Sequence, residues 1–170
     1  EALDGNKGSV IIMEPDSGKI LTLISSPDFN PNSIDDEWDS IVGLQDDSPL
    51  LNRATQGVYP PGSTFKILTL LEYIRENPDN YMDYRYICDG EYELGSEIMS
   101  CSGHKAHGEV DLIQSLALSC NGSFINMGLS LDITKFEQTA KNMLFNSGLP
   151  LGIEYNKSKF ELNGKSSKWE

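Results

Sequence analysis

The sequence is short of positive charge. Its 13 basic residues face 26 acidic ones, and the net charge is −13. Nucleic-acid binding needs a basic footprint, and docking on anionic lipid needs one too, so the balance argues against both. Long apolar runs are missing: none approaches the roughly 20 residues of a membrane helix. There is no internal repeat and no low-complexity tract. Histidine occurs twice and cysteine three times, an odd number that leaves at least one thiol unpaired within the chain. What remains is 38% hydrophobic and 23% charged, which suits a folded chain. At 170 residues it can bury one core and form one compact domain. Glu1 stands where an initiator Met would, with no signal peptide after it, so the expectation is a piece of a longer protein.

Gly8 to Glu14 reads as a buried strand, and Lys19 to Ser25 as its return. Pro15-Asp16-Ser17-Gly18 between them is a turn signal, giving a hairpin. Residues 26–48 are acidic and turn-rich, a loop with a short helix around Trp38 as a packing anchor. Leu50 to Gln56 suggests another short helix.

Tyr59-Pro60-Pro61-Gly62-Ser63-Thr64-Phe65-Lys66 is the stretch that carries chemistry. Proline and glycine end an extended segment, and an apolar run from Phe65 to Ile74 follows. The pattern predicts a helix that starts at or just before Ser63, with Ser63 as N-cap, and ends near Asn77-Pro78. Residues three apart share a helix face, so the Lys66 amine is expected near the Ser63 hydroxyl. Serine becomes a nucleophile when a neighbouring base takes its proton. Lysine serves as that base when burial lowers its pKa. An isolated S-x-x-K is better explained by a cap and a surface lysine, because the pattern is short.

Beyond it, short strands are expected at Tyr84–Ile87 and Ile98–Cys101. A helix capped by Asp111 follows, with an apolar stripe of Ile113, Leu116 and Ala117, stopping at Leu118-Ser119-Cys120-Asn121-Gly122. Phe124 to Leu129 continues helically. Asp132 caps one more helix, whose inner face is Ile133, Phe136, Ala140, Met143 and Leu144. Three readings of the thiols stay open. Cys88 and Cys101 pair across a hairpin, or they are free and buried, or Cys88, Cys101, His104 and His107 hold zinc at a spacing that matches no standard finger.

The run Leu51 to Lys66 closely resembles the nucleophile region of penicillin-binding proteins, the D,D-transpeptidases that cross-link bacterial cell wall. It is most similar to their monofunctional, high-molecular-weight class. Ser119 and Asn121, 56 and 58 residues beyond Ser63, match that family's S-x-N motif within a similar flanking phrase. The resemblance spans about residues 8 to 155. It implies an α+β chain: a helical subdomain plus the antiparallel β-hairpin of an incomplete sheet, the N-terminal portion of a β-lactamase/transpeptidase-like fold, with 1–170 a partial domain. A two-stranded sheet on its own is marginal, and its exposed edge invites self-association.

The resemblance assigns Ser63 as nucleophile, Lys66 as base, Ser119 as proton relay, and Asn121 as a hydrogen-bond partner of both Lys66 and substrate. It implies stem peptides ending in D-Ala-D-Ala as substrates, β-lactams as acylating ligands, cell-wall synthesis machinery as partners, and no metal or organic cofactor. It also implies the outer face of the bacterial cytoplasmic membrane, with an N-terminal anchor before this point. The family's third motif, K-[ST]-G, has no match; Lys165-Ser166-Ser167 lacks the glycine. The chain is therefore expected to be truncated before that strand and weakly active or inactive alone. Alternatives are a D,D-carboxypeptidase, β-lactamase or β-lactam sensor of the same superfamily, or a non-catalytic binding module.

Overall fold

The computed structural model describes residues 3–44 and 46–162. The Lys165-Ser166-Ser167 string lies outside them. The chain divides into two compact units, Glu1–Tyr59 with Leu149–Ser158, and Pro60–Gly148 with Lys159–Glu170.

In the first unit, β1 (Gly8–Met13) and β2 (Ile20–Ser26) pair antiparallel, with Ile11 opposite Leu23. The Glu14 amide donates to the Lys19 carbonyl and the Gly18 amide to the Glu14 carbonyl, each at 2.9 Å, so the expected turn closes. The expected burial of β1 does not hold. Ile11, Ile12 and Met13 are about half exposed, because these two strands form a sheet by themselves among the described residues.

Helix α1 (Ile34–Gly43) places Asp35, Asp36 and Glu37 in its first turn, where acidic groups complement the helix dipole. Its buried residue is Ile41; Trp38 is half exposed and is not the anchor expected of it. Residues 50–56 form turns, not a helix. The Asn52 and Gln56 side chains accept from the Ala54 and Asn52 amides, which competes with helical bonding. The buried Arg53 guanidinium donates to the Ser48 and Asp47 carbonyls.

The second unit is built around α2 (Lys66–Glu76), which packs against α4 (Asn121–Ser130) and α5 (Ile133–Asn142). Leu68 joins Leu131, Phe136 and Ala140 in one core cluster, while Tyr84, Leu112, Phe124 and Met127 form a second. Two small antiparallel pairs flank the helices. β3 (Arg85–Cys88) pairs with β6 (Gly108–Asp111), and β4 (Glu91–Leu94) with β5 (Glu97–Ser100).

Asp111 caps α3 (Leu112–Ala117) through a reciprocal box: the Gln114 amide donates to its carboxylate at 2.7 Å, and its amide to the Gln114 side chain at 3.0 Å. The expected stripe is out of phase. Ile113 and Leu116 are exposed, and Leu112 and Ser115 are buried. Six residues are too few for periodicity to show, and the box sets where the helix faces. In α5, capped by Asp132 as expected, Phe136, Thr139 and Ala140 point inward. Met143 and Leu144 lie beyond the helix end and are half exposed, Leu144 with a left-handed φ of 68°. Among the described residues, no helix is long and apolar enough to cross a membrane.

Candidate active site

Ser63 is not an N-cap. It sits inside a 3-10 turn, Gly62–Phe65, that runs directly into α2. Gly62 enters with φ 57°, a conformation that favours glycine. In a 3-10 turn, side chains three apart eclipse, so Ser63 and Lys66 stand one above the other. Phe65, between them, faces the opposite way. Its ring meets those of Phe136, Phe145 and Phe160 at centroid distances of 6.1, 5.9 and 5.2 Å. That aromatic anchor holds the turn to the core while Ser63 stays exposed and Lys66 half-buried.

The second element is the end of α3. The Cys120 amide donates to the Ser115 carbonyl at 2.9 Å, and the Ser119 amide to the Leu116 carbonyl at 3.0 Å. This pair of bonds is a Schellman closure, whose left-handed residue is usually glycine. Here it is Ser119, with φ 50°. A serine in that slot is strained, and strain of this kind collects at functional sites. Cys120 then caps α4, and Asn121 opens it.

The two elements meet through hydrogen bonds. The Lys66 amine donates to the Ser119 carbonyl at 2.7 Å, the Ser119 hydroxyl at 2.9 Å and the Asn121 side-chain oxygen at 2.6 Å. The Ser119 hydroxyl donates to the Ser63 oxygen at 2.9 Å. The link from Ser63 to Lys66 therefore runs through Ser119. Asn121 is itself oriented by its amide, which donates to the Ser100 carbonyl at the end of β5, 2.7 Å away. The Phe124 ring lies 5.5 Å from the Lys66 nitrogen, near enough for a cation–π contact. Burial holds the Lys66 amine below the ordinary lysine value, against a smaller upward pull from Cys101 and Cys120. All four residues expected of the site are thus brought together, on one face of the second unit.

The arrangement can move a proton. With Lys66 neutral, the Ser119 hydroxyl can turn its hydrogen toward the amine and accept the Ser63 hydrogen in exchange. The Ser63 oxygen is then free to attack an electrophile at the exposed mouth of the turn.

The thiols resolve differently from two of the three expectations. Cys88, Cys101 and Cys120 are free and buried, so the hairpin disulfide is not formed. His104 does not join the cysteines. It is exposed and faces Glu91, with its Nδ1 3.0 Å from the carboxylate. Gly103 and His104 both take left-handed φ values, which turns the His104 ring outward. His107 points inward, and Cys120 takes the fourth place beside Cys88 and Cys101. Nothing in the local spacing signalled Cys120, which the motif treats as a variable position. Burial works against ionising Cys88, yet the His107 amide, the Cys120 thiol and the Gly90 amide beside its sulfur bring it below the ordinary thiol value; burial pushes Cys120 up to about 12.

The family model for the penicillin binding protein transpeptidase domain matches residues 8–169. Among curated relatives, the peptidoglycan D,D-transpeptidase PbpA of Mycolicibacterium smegmatis is 32% identical over 148 residues, which is 79% of this chain and 30% of that protein. The fold is similar to the D,D-transpeptidase domain of a peptidoglycan glycosyltransferase from Eggerthella lenta, with TM-score 0.85 and 31% identity over 94% of this chain and 38% of that one. It is also similar to penicillin-binding protein A from M. tuberculosis, solved as an imipenem acyl-enzyme complex, with TM-score 0.83 and 26% identity over 96% of this chain and 40% of that one. The chain thus spans well under half the length of each.

Proposed function

The chain belongs to the penicillin-binding protein transpeptidase family, and on that premise we propose that it carries the nucleophile portion of a peptidoglycan D,D-transpeptidase site. The observation that carries this reading is the hydrogen-bonded path Ser63–Ser119–Lys66, with Asn121 on the same amine.

Ser63 Oγ attacks the carbonyl carbon between two D-alanines of a wall stem peptide. Its proton passes through the Ser119 hydroxyl to the neutral Lys66 amine. The Ser63 amide supports the developing oxyanion. The C–N bond breaks, and the terminal D-alanine leaves with a proton returned through Ser119. An amine on a second stem peptide then attacks the Ser63 ester, forms the cross-link and restores the hydroxyl. β-Lactams acylate Ser63 by the same path. The family's K-[ST]-G strand, which has no match in these 170 residues, supplies the second oxyanion donor. The 170 residues alone therefore label weakly with penicillin or not at all. Wall substrates lie outside the cytoplasmic membrane, which supports an extracellular site held by a membrane anchor, working with other cell-wall synthesis proteins.

The test uses full-length protein, one stem peptide ending in D-Ala-D-Ala and a second bearing a free amine. The reading expects release of D-alanine with a cross-linked product, lost in Ser63→Ala. Release of D-alanine with hydrolysis alone would replace it with the carboxypeptidase reading. No release would overturn both.

A further inference from the structure

Four ligand-type atoms converge beside the catalytic bend. The Cys88 and Cys101 sulfurs are 3.7 Å apart, and Cys101 and Cys120 3.9 Å. The Cys88 sulfur is 3.4 Å from His107 Nδ1. All four atoms lie within 4.8 Å of one another. Tetrahedral zinc has Zn–S near 2.3 Å and Zn–N near 2.0–2.1 Å, so its ligands sit about 3.8 Å apart for S–S and about 3.5 Å for S–N. The Cys88–Cys101, Cys101–Cys120 and Cys88–His107 separations match those edges, and the remaining pairs stay within 4.8 Å. A disulfide, at about 2.05 Å, is a different arrangement. Buried thiols packing as small apolar groups would explain three sulfurs together; the His107 nitrogen beside Cys88 adds a fourth ligand-type atom that such packing does not call for.

The chain is shaped to bring the four together. The β3–β6 pairing sets Cys88 opposite Gly108, next to His107. Gly90, with φ 102°, lets the backbone approach so closely that a Cβ there would lie 2.6 Å from the His104 carbonyl. The Cys101 amide donates to the Gly90 carbonyl at 2.8 Å, and the Ser123 amide to the Cys120 sulfur at 3.5 Å. Cys88, Cys101 and Cys120 are 1%, 4% and 0% exposed.

We propose that Cys88, Cys101, His107 and Cys120 form a closed Cys3His site for a soft divalent cation of the zinc class, which positions the Ser119-Cys120-Asn121 bend. Four protein ligands leave no open position, so the role is structural. Binding displaces a proton from each thiol it ligates. The cation ties β3, the loop after β5, the residue before β6 and the start of α4 to one point. Cys120 stands between the two residues that accept from Lys66, so the metal fixes the relay without touching substrate. The site stands independently of the acyl-transfer reading.

The test is metal analysis of reduced full-length protein purified without chelator, followed by titration with zinc or cobalt alone. The expected result is one zinc per chain, and a cobalt form with tetrahedral d–d bands and a thiolate charge-transfer band. Cys88→Ser and His107→Gln lose both, while His104→Gln keeps both. Stripping the wild-type metal slows penicillin acylation about 100-fold, the scale of a misplaced catalytic group, and zinc restores it. Wild-type protein that neither holds nor takes up zinc or cobalt overturns the site, whether or not the variants fold. Loss of metal in His104→Gln but not in His107→Gln overturns the ligand set. Unchanged acylation after stripping overturns the positioning role. A protein that binds zinc but never reacts with penicillin sinks the acyl-transfer reading and leaves the metal site standing.

Discussion

The Lys66 amine donates to the Asn121 side-chain oxygen across 2.6 Å, joining residues 55 apart in sequence. One belongs to the first turn of α2 and the other to the first turn of α4. Their contact fixes the second motif against the first, and with it the hydrogen-bonded path from Ser63 through Ser119 to Lys66.

The base role makes a statement about pH. Burial favours the neutral Lys66 amine, so its pKa lies below the 10.5 of a free lysine. The neutral form accepts the proton, so acylation of Ser63 rises with pH through a midpoint below 10.5 and levels off above that midpoint. A stopped-flow rate profile with a fluorescent penicillin checks this. Lys66→Ala should lower the rate by about 10² to 10⁴, the usual worth of a general base.

Ser119 combines a strained backbone with a relay hydroxyl. Ser119→Ala and Ser119→Gly both remove the hydroxyl, and each should slow acylation about 100-fold or more. They should differ in stability. Glycine relieves the left-handed φ of 50°, so Ser119→Gly should be more stable than Ser119→Ala by about 1 kcal/mol. Paired urea titrations measure the difference.

In the core of the second unit, the Thr139 hydroxyl donates to the Glu72 carboxylate and accepts from Arg75 at 2.9 Å. Glu72 is 2% exposed. Thr139→Val keeps the shape but leaves a buried carboxylate short of a donor. The expected loss is about 1–3 kcal/mol in chemical denaturation.

Gly90→Ala places a Cβ against the His104 carbonyl at a φ that side chains avoid. The expected cost is about 1–3 kcal/mol in thermal unfolding, the range for a residue held in a disfavoured conformation.

The four residues of the relay were legible because two short motifs carry them, each at a helix start or stop marked by proline, glycine or a left-handed turn. The cap residues Asp111 and Asp132 were legible for the same reason, since capping is local chemistry. What escaped was set by tertiary closure. Cys88 meets His107 because β3 pairs with β6, Cys120 reaches them from the cap of α4, and four-residue strands beside glycines leave little pattern to read. The α3 stripe was misphased because a capping box, not periodicity, orients six residues. The β1 apolar run reads as buried because Ile11 and Ile12 ask for cover, which the two-stranded sheet does not provide among the described residues.

The central claim is that Ser63 is the acylated oxygen, activated through Ser119 and Lys66. Intact and peptide mass spectrometry of full-length protein after brief exposure to penicillin tests it most directly. The account predicts one adduct per chain, on the peptide containing Ser63, absent in Ser63→Ala and strongly slowed in Lys66→Ala and Ser119→Ala. An adduct on another residue, or one that forms at an undiminished rate in Ser63→Ala, would contradict it.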